Sequence, residues 1–258
     1  MNVSTVLGII VGLATLIGGI VLKGSSLSAL ANPAALVIIF VGTFAALLNA
    51  FPMSTIAKLP TYFGLIFGSS KQPEEMELAK EFITLAQAAR RDGILSLERM
   101  EFNEPFIKLG ASMLVDGVDP EILEDVMEQH LEAMEDRHKV GAQVFAQAGM
   151  YAPTLGVMGA VIGLVAALGN LNDIEKLGHS IAAAFIATLF GIFSGYVLWH
   201  PFSNKLKQMS AKEVEIKRMI ISGIKAIQNG ESIYVIQERM LAFLPEKDRE
   251  ILRKEWEK

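Results

Sequence analysis

The 258-residue sequence contains no cysteine, which excludes disulfides, thiolate metal sites and cysteine nucleophiles. Common enzyme motifs are missing as well: there is no GxxxxGK(S/T) phosphate loop, no GxGxxG, no HExxH and no GxSxG. His130 and His138 are eight residues apart on a predicted helix, about 12 Å along its axis, so they cannot share a metal ion. We therefore expect no catalytic residue, no metal site and no cofactor.

Asp, Glu, Lys and Arg are also missing from four long apolar runs. The runs cover residues 3–22, 34–51, 140–172 and 177–204. Each is close to or above the ~20 residues that a helix needs to cross a hydrocarbon core of ~30 Å. In contrast, residues 69–147 carry 17 acidic and 8 basic groups, and residues 203–258 carry 12 basic and 9 acidic groups. Such partitioning is typical of a multispan membrane protein with aqueous domains.

The sequence therefore predicts an all-α membrane protein. Four transmembrane helices are expected, with a helical cytoplasmic domain between the second and third spans and a helical C-terminal tail. The predicted boundaries are 1–52 for the first two spans, 53–147 for an interfacial segment and the cytoplasmic domain, 148–202 for the last two spans, and 203–258 for the cytoplasmic C-terminal helices.

The first apolar run has a rival interpretation as a signal peptide, with a small-residue cleavage site at Ala29-Leu30-Ala31. No Lys or Arg precedes the run, however, and it is longer than the ~7–15 residues of a typical signal core. We favour a retained span.

Prolines and capping residues predict where several helices begin and end. Asp119-Pro120 offers a cap followed by a proline in the first turn, and this helix can extend into the third span. Pro153 suits a helix entry and Pro201 a helix stop, because proline lacks a backbone donor. A separate amphipathic helix is expected over residues 210–228.

Small residues recur at three- and four-residue spacing along the last two runs. Such stripes let helix backbones approach closely in lipid, where hydrophobicity does not drive association. The stripes are Gly156, Gly159, Gly163 and Ala167 in the third run, and Ala184 or Ala187, Gly191 and Gly195 in the fourth. Since no span carries an Asp, Glu, Lys or Arg, either this chain conducts no ion or a partner supplies the titratable group of the ion path. The glycine-rich faces favour the second option. We expect the partner's helix to sit against these glycine-rich faces.

Basic residues near the ends of the spans predict the orientation. The loops on one side contain only Lys23 and Lys176, whereas the other side has many basic groups close to the spans: Lys58, Lys71, Arg137, Lys139, Lys205, Lys207 and Lys212. The positive-inside rule places the second side, with both termini, in the cytoplasm.

Several stretches resemble the MotA/TolQ/ExbB family, and the likeness extends over essentially the whole chain. They are the run Ala152-Pro153-Thr154-Leu155-Gly156 through Gly163, residues 188–201, and the region of Arg90 and Ser96-Leu97-Glu98-Arg99. TolQ and ExbB have a single N-terminal span, so the two N-terminal runs here favour the MotA branch, the stator subunits of bacterial flagellar motors.

The resemblance implies a homo-oligomer of five copies in the bacterial inner membrane around two helices of a MotB-like partner. That partner would bring one span, an ion-binding aspartate and a cell-wall anchor. Ion passage would turn the ring and push the rotor protein FliG. Membrane lipid is the only other expected partner, and nucleic acid is not one.

The resemblance also implies roles for individual residues. Pro153 and Pro201 match two prolines near the channel. Thr188 matches a threonine that faces the ion path, although a threonine bonded to its own helix is a common alternative. Ala160 occupies the place where sodium-driven relatives carry threonine. Because alanine offers no oxygen ligand, we predict proton coupling.

Arg90 and Glu98 match charged residues that engage FliG. Each also has a simpler interpretation. Arg90 lies near a predicted helix C-terminus, where a cation is favoured by roughly 0.3–1 kcal/mol, and Glu98 suits a solvated face.

Two other function classes stay open from the residues alone. One is a TolQ- or ExbB-like energiser of the cell envelope, which also uses a one-span partner. The other is a membrane enzyme or a solute carrier that works alone. A carrier would usually show polar groups at mid-membrane or repeated, broken helices, and neither is evident.

Overall fold

The computed structural model describes residues 3–24, 27–68 and 73–256, and these residues form helices and no strand. The helices are α1 (Val3–Leu22), α2 (Pro33–Ala50), α3 (Met53–Ile56), α4 (Leu59–Phe67), α5 (Glu75–Asp92), α6 (Pro105–Val115), α7 (Pro120–Leu168), α8 (Ile174–Gln228), α9 (Ile233–Leu241) and α10 (Glu246–Trp256). Short 3₁₀ turns cover Leu27–Leu30 and Ile94–Arg99. Stretches of α1, α2, α7 and α8 are long and apolar enough to cross a membrane. The predicted fold class is confirmed.

The chain divides into two compact units. The membrane unit comprises the described part of residues 1–70 together with residues 138–208. The charged unit comprises the described part of residues 71–137 and of 209–258. Both α7 and α8 contribute one part to each unit.

An aromatic cluster forms the core at one end of the membrane unit. Neighbouring ring centroids lie 5.2 to 6.5 Å apart among Phe63, Phe67, Phe145, Trp199 and Phe202. The short helix α4 supplies two of these rings and also the fully buried Ile66. Offset and edge-to-face ring pairs contribute ~0.5–1.5 kcal/mol beyond their burial, so α4 is held firmly against α7 and α8.

Two long-range hydrogen bonds connect the spans. Ser203 Oγ donates to the Ala142 carbonyl at 2.8 Å and joins α8 to α7. Asn32 Oδ1 accepts from the Ala35 amide and caps α2, while its Nδ2 donates to the Ala183 carbonyl of α8 at 3.2 Å. Both side chains form hydrogen bonds with backbone carbonyl groups, which lipid chains could not do.

The charged unit has its own apolar core, built from one face of each of its helices. Its fully buried side chains include Leu78, Phe82, Leu85, Leu97, Ile107, Leu123, Met127, Ile216 and Met219. Around this core, Lys217 of α8 pairs with Glu104, the residue that caps α6, at 2.5 Å. The Lys217 ammonium also lies 4.7 Å from the centre of the Phe106 ring.

The helix α8 is longer than the sequence predicts. Residues 210–228 are its last part, so the expected separate helix is wrong, and Pro201 does not stop the helix. A π-helical turn at Ser194–Trp199 precedes Pro201. Such a turn accommodates a proline because it shifts the hydrogen-bond register where the proline has no N–H to donate. The helix that begins at Pro120 does run unbroken into the third span.

Candidate functional site between the last two spans

The small residues of α7 and α8 face one another. A Cβ added at Gly156 would lie 2.9 Å from the Ala187 carbonyl oxygen and 3.0 Å from the Gly191 Cα. A Cβ at Gly191 would lie 2.8 Å from the Ala152 carbonyl oxygen. Since real Cβ atoms essentially never approach backbone so closely, only glycine permits this spacing at both positions.

The same close contact extends toward both ends of the two helices. A Cβ at Gly159 would lie 2.9 Å from the Ala187 Cβ, and one at Gly163 would lie 2.9 Å from the Ala184 Cβ. We call the contact formed by Gly156, Gly159, Gly163, Ala184, Ala187, Gly191 and Gly195 the glycine seam. Within one chain, the small residues of α7 already pack against those of α8. The expectation that they offer a seat to a partner helix is therefore wrong.

Pro153 lies inside α7 and contacts the glycine seam directly. Because proline has no N–H, the Gly149 carbonyl receives no hydrogen bond from position 153. Gly195 of α8 packs at this place: a Cβ there would lie 2.9 Å from the Gly149 oxygen and 2.8 Å from Pro153 Cγ. Pro153 is thus neither a helix entry nor a break, but an interior position of a continuous helix, covered by a glycine of the neighbouring span.

Ala160 and Thr188 lie on the same side of the glycine seam. Gly159 contacts Ala187, and the next residue on each helix lies about 1.5 Å further along its own axis, in opposite directions. In an antiparallel pair, a turn of about 100° per residue moves both of these residues to the same side of the contact. Both are half-buried. The packing of the two helices therefore puts two residues that are 28 positions apart in the chain on the same side of the seam.

The hydroxyl of Thr188 is bonded within its own helix. Its Oγ1 donates to the Ala184 carbonyl at 3.4 Å, which is the local arrangement that threonine often adopts in a helix. The bond is long, so the hydroxyl can turn toward a better acceptor without losing much.

The outer face of α7, opposite the glycine seam, carries large apolar side chains that the sequence reasoning did not assign. They are exposed in the single chain and recur at helical spacing: Val157, Met158, Val161, Ile162, Leu164, Val165 and Leu168. On α8, Phe185, Ile192 and Tyr196 are exposed in the same way. Counting residues opposite the glycine stripe at a period of 3.6 would have identified this face. It is the surface that lipid or neighbouring helices must cover.

The described spans contain no Asp, Glu, Lys or Arg between residues 140 and 172 or between residues 177 and 204. At one end of the two spans, Asp173 caps α8 and accepts from the Lys176 backbone amide at 3.1 Å. The pKa of Asp173 is below its ordinary value, because its carboxylate accepts this bond and a second one from the Lys176 ammonium. The Asp173 carboxylate therefore serves as a helix cap.

Arg90 and Glu98 lie on the surface of the charged unit. Arg90 is in the last turn of α5, and Glu98 is in the 3₁₀ turn that follows Gly93. Both side chains are exposed, and within the described residues neither forms an ion pair. By contrast, the adjacent Arg91 is paired with Asp92 at 2.8 Å.

The turn that carries Glu98 is held rigidly against α5. Ser96 Oγ donates to the Gly93 carbonyl at 2.7 Å and to the Ala88 carbonyl at 3.3 Å. Leu97 is buried in the core of the charged unit. Glu98 is thus displayed on a fixed support.

Comparison with known proteins shows what this chain is similar to. Residues 98–219 match the model of the MotA/TolQ/ExbB proton channel family, and residues 6–93 match the Motility protein A N-terminal model. The chain is 50% identical to Motility protein A of Bacillus subtilis, covering 96% of this chain and 93% of that protein. It is 34% identical to Motility protein A of Borreliella burgdorferi, covering 96% of each.

A solved structure agrees with these matches. The flagellar MotAB stator complex from Bacillus subtilis contains a chain that superimposes with a TM-score of 0.90 at 50% identity. The likeness covers 95% of this chain and 98% of the other. The chain is a member of the MotA/TolQ/ExbB proton channel family.

Proposed function

We propose that this chain is the stator subunit of a bacterial flagellar motor. With a MotB-like partner it forms an ion channel in the cell membrane, and ion flow through that channel produces torque on the rotor. The observation that carries the proposal is the edge at Ala160 and Thr188, which lies between two charge-free spans and lacks a carboxylate of its own. The similarity to Motility protein A over nearly the whole chain supports this assignment.

The partner supplies what the spans lack. An ion pathway normally requires a titratable or coordinating group inside the membrane. A single-span partner with an aspartate at the level of Ala160 and Thr188 would complete the path. Five copies of this chain around two such helices would use the exposed apolar faces of α7 and α8 as their inner and lateral contacts.

We propose the orientation from the charges near the span ends. Lys58, Lys205 and Lys207 lie on the side of both termini, and Lys23 and Lys176 lie on the opposite side. The positive-inside rule makes the terminal side cytoplasmic. The ranges 1–52 and 148–202 would then be the membrane parts, and 53–147 and 203–258 the interfacial and cytoplasmic parts.

The rotor contact is assigned to Arg90 and Glu98, which would engage FliG. Their exposure and their lack of ion-pair partners among the described residues support the assignment. A single exposed ion pair contributes only ~0–1 kcal/mol. Torque therefore needs several such contacts, renewed at each step of the ring.

The main alternative is a TolQ- or ExbB-like energiser of the cell envelope. The match of residues 6–93 to the Motility protein A N-terminal model favours the stator. Deleting the gene in its host separates the two functions. We expect cells that still build flagella but do not swim, with swimming restored by the intact gene. Normal swimming together with a leaky or detergent-sensitive envelope would instead identify the energiser.

A further inference from the structure

A groove of about 400 Å³ lies between α1 and α8 in the membrane unit. Ser4, Thr5 and Lys205 line one end, and the Lys205 ammonium donates to Ser4 Oγ at 3.4 Å. Gly8 and Val197 line the groove further along. The groove therefore has a polar end and an apolar length.

The groove closes where α1 meets α8. A Cβ at Gly12 would lie 2.6 Å from Val197 Cγ1, so the two helices touch there. From Ser4 to Gly12 the helix rises about 12 Å. A Cβ at Gly8, by contrast, would have no atom within 4 Å. The open space is thus a wedge that begins at Lys205 and narrows along the spans.

We propose that this groove binds an anionic phospholipid, with the headgroup phosphate at Lys205, Ser4 and Thr5 and an acyl chain beside Gly8. Both walls belong to helices that cross the membrane, so the apolar length opens toward hydrocarbon. Lys205 directly follows the apolar run 177–204, which places its ammonium at the membrane boundary, where headgroups lie.

The charges of the groove favour an anionic headgroup. Within the described residues Lys205 has no carboxylate partner, and its ammonium offers three donors, of which Ser4 takes one. The Thr5 hydroxyl makes only a 3.5 Å bond to the Ile66 carbonyl, so it can turn to a phosphate oxygen. The Lys205 ammonium also repels the cationic part of a zwitterionic headgroup. Basic pockets between transmembrane helices bind anionic headgroups in this way.

The first test is a titration of the purified complex of this chain and its MotB-like partner with phosphatidylglycerol, with bound lipid counted by native mass spectrometry. Lys205→Gln should weaken binding about fivefold, the factor that ~1 kcal/mol per basic residue corresponds to. Lys205→Arg should retain binding, because it keeps the charge. The matched control is Lys207→Gln, which removes the same charge two residues away, outside the groove lining. Equal losses in both glutamine variants would mean general surface attraction and would overturn the proposal.

The second test fills the groove. Gly8→Leu should abolish the specifically bound lipid, whereas Gly19→Leu, on the same helix and with equally open surroundings, should not. Retention of the lipid in Gly8→Leu would overturn the proposed path of the acyl chain.

Two further experiments distinguish a bound lipid from other possible occupants of the groove. A thermal shift produced by inorganic phosphate and lost in Lys205→Gln, without binding of phosphatidylglycerol, would identify a free-phosphate site and overturn the lipid proposal. Since the chain has no cysteine of its own, Gly8→Cys introduces a unique thiol. A disulfide between two copies of this chain at that position would show that a second copy fills the groove, which would also overturn it.

Discussion

At the scale of single residues, the glycines of the seam allow close helix contact because they have no side chain. An interior glycine normally destabilises a helix by roughly 0.5–1 kcal/mol relative to alanine. In the glycine seam that cost is offset by close backbone contact, which supplies dispersion attraction where hydrophobicity cannot. The sign of a glycine-to-alanine substitution should therefore depend on position along the same helices.

Gly156→Ala should destabilise the protein, because its Cβ would meet backbone atoms of Ala187 and Gly191 that cannot rotate away. Overpacking of this kind costs ~1–3 kcal/mol. Gly178→Ala on α8 is the matched control, since its Cβ would meet no atom within 4 Å, and it should be neutral or slightly stabilising. The check is the thermal unfolding temperature of the purified complex in one detergent. Equal unfolding temperatures for the two variants would contradict the seam.

Glu81 makes a second prediction at this scale. Its pKa is raised, first by burial and then by the nearby charge of Glu104. The folded state therefore binds the proton more tightly than the unfolded state, and the stability that protonation supplies is lost as pH rises through the folded-state pKa. Glu81→Gln should consequently raise the unfolding temperature at pH 7 to 8.

The gain from Glu81→Gln should shrink as pH falls below the raised pKa, because the wild-type carboxyl is then neutral as well. Glu101→Gln, at an exposed carboxylate of the same unit, is the control and should change little at any pH. A gain that is independent of pH would point to packing and not to the charge of Glu81.

At the scale of elements, the hydrogen-bond pattern of two long helices is interrupted near Pro153 and Pro201, the two prolines that the family resemblance places near the channel. In α7 the interruption is Pro153, covered by Gly195 of the neighbouring span. In α8 it is the π-helical turn at Ser194–Trp199, followed by Pro201. Such interruptions are common where a helix must bend or change register during function.

Pro153→Ala should restore an N–H that can donate to the Gly149 carbonyl and should make α7 stiffer at this position. We expect the variant to reach the membrane at the wild-type level yet to support little or no swimming. Swim-plate diameter and membrane immunoblots measure the two properties. Thr154→Ala, one residue away and exposed, changes a side chain without adding a backbone donor and serves as the control. Wild-type swimming of Pro153→Ala would show that the missing hydrogen bond at position 153 has no part in torque generation.

At the scale of the whole molecule, the acidic and basic residues are concentrated outside the spans. The spans are free of Asp, Glu, Lys and Arg, and the charged unit displays Arg90 at the end of α5 and Glu98 on the turn that follows. Under the proposed function, ion transfer and rotor contact would depend on separate sets of residues. One elementary charge that crosses 100 mV releases ~2.3 kcal/mol, so continuous rotation requires repeated transfers.

Reversing the charge of Arg90 or of Glu98 should impair swimming partially, because each exposed contact contributes only ~0–1 kcal/mol. Opposite reversals on FliG should restore it. The control is Lys247→Glu, an exposed charge reversal elsewhere in the charged unit. Full swimming after Arg90 and Glu98 are reversed together would exclude both from the rotor contact.

The coupling ion gives the last prediction. Sodium prefers oxygen ligands, and Ala160 offers none beside Thr188. Swimming should therefore persist in medium without sodium and stop when a protonophore collapses the proton gradient. Strict dependence on sodium would contradict proton coupling.

The amino-acid sequence by itself determined the features that depend on local composition and spacing. The four spans follow from apolar length, and the helix start at Asp119-Pro120 follows from capping chemistry. The proposal that a partner supplies the carboxylate follows from the absence of Asp and Glu in the spans. The small-residue stripes were also visible, because a helical period is a local property.

Only the tertiary structure decided what those stripes contact. The register between α7 and α8 results from packing of residues far apart in the chain, which no local pattern encodes. That register turned the glycines toward each other and put Ala160 and Thr188 on the same side of the seam. The packing of α1 against α8, which is also a contact between distant parts of the chain, left the wedge at Gly8 open. Pro201 likewise lies within a continuous helix, because the π-helical turn before it shifts the hydrogen-bond register where proline has no N–H to donate. That shift depends on backbone geometry and not on residue type.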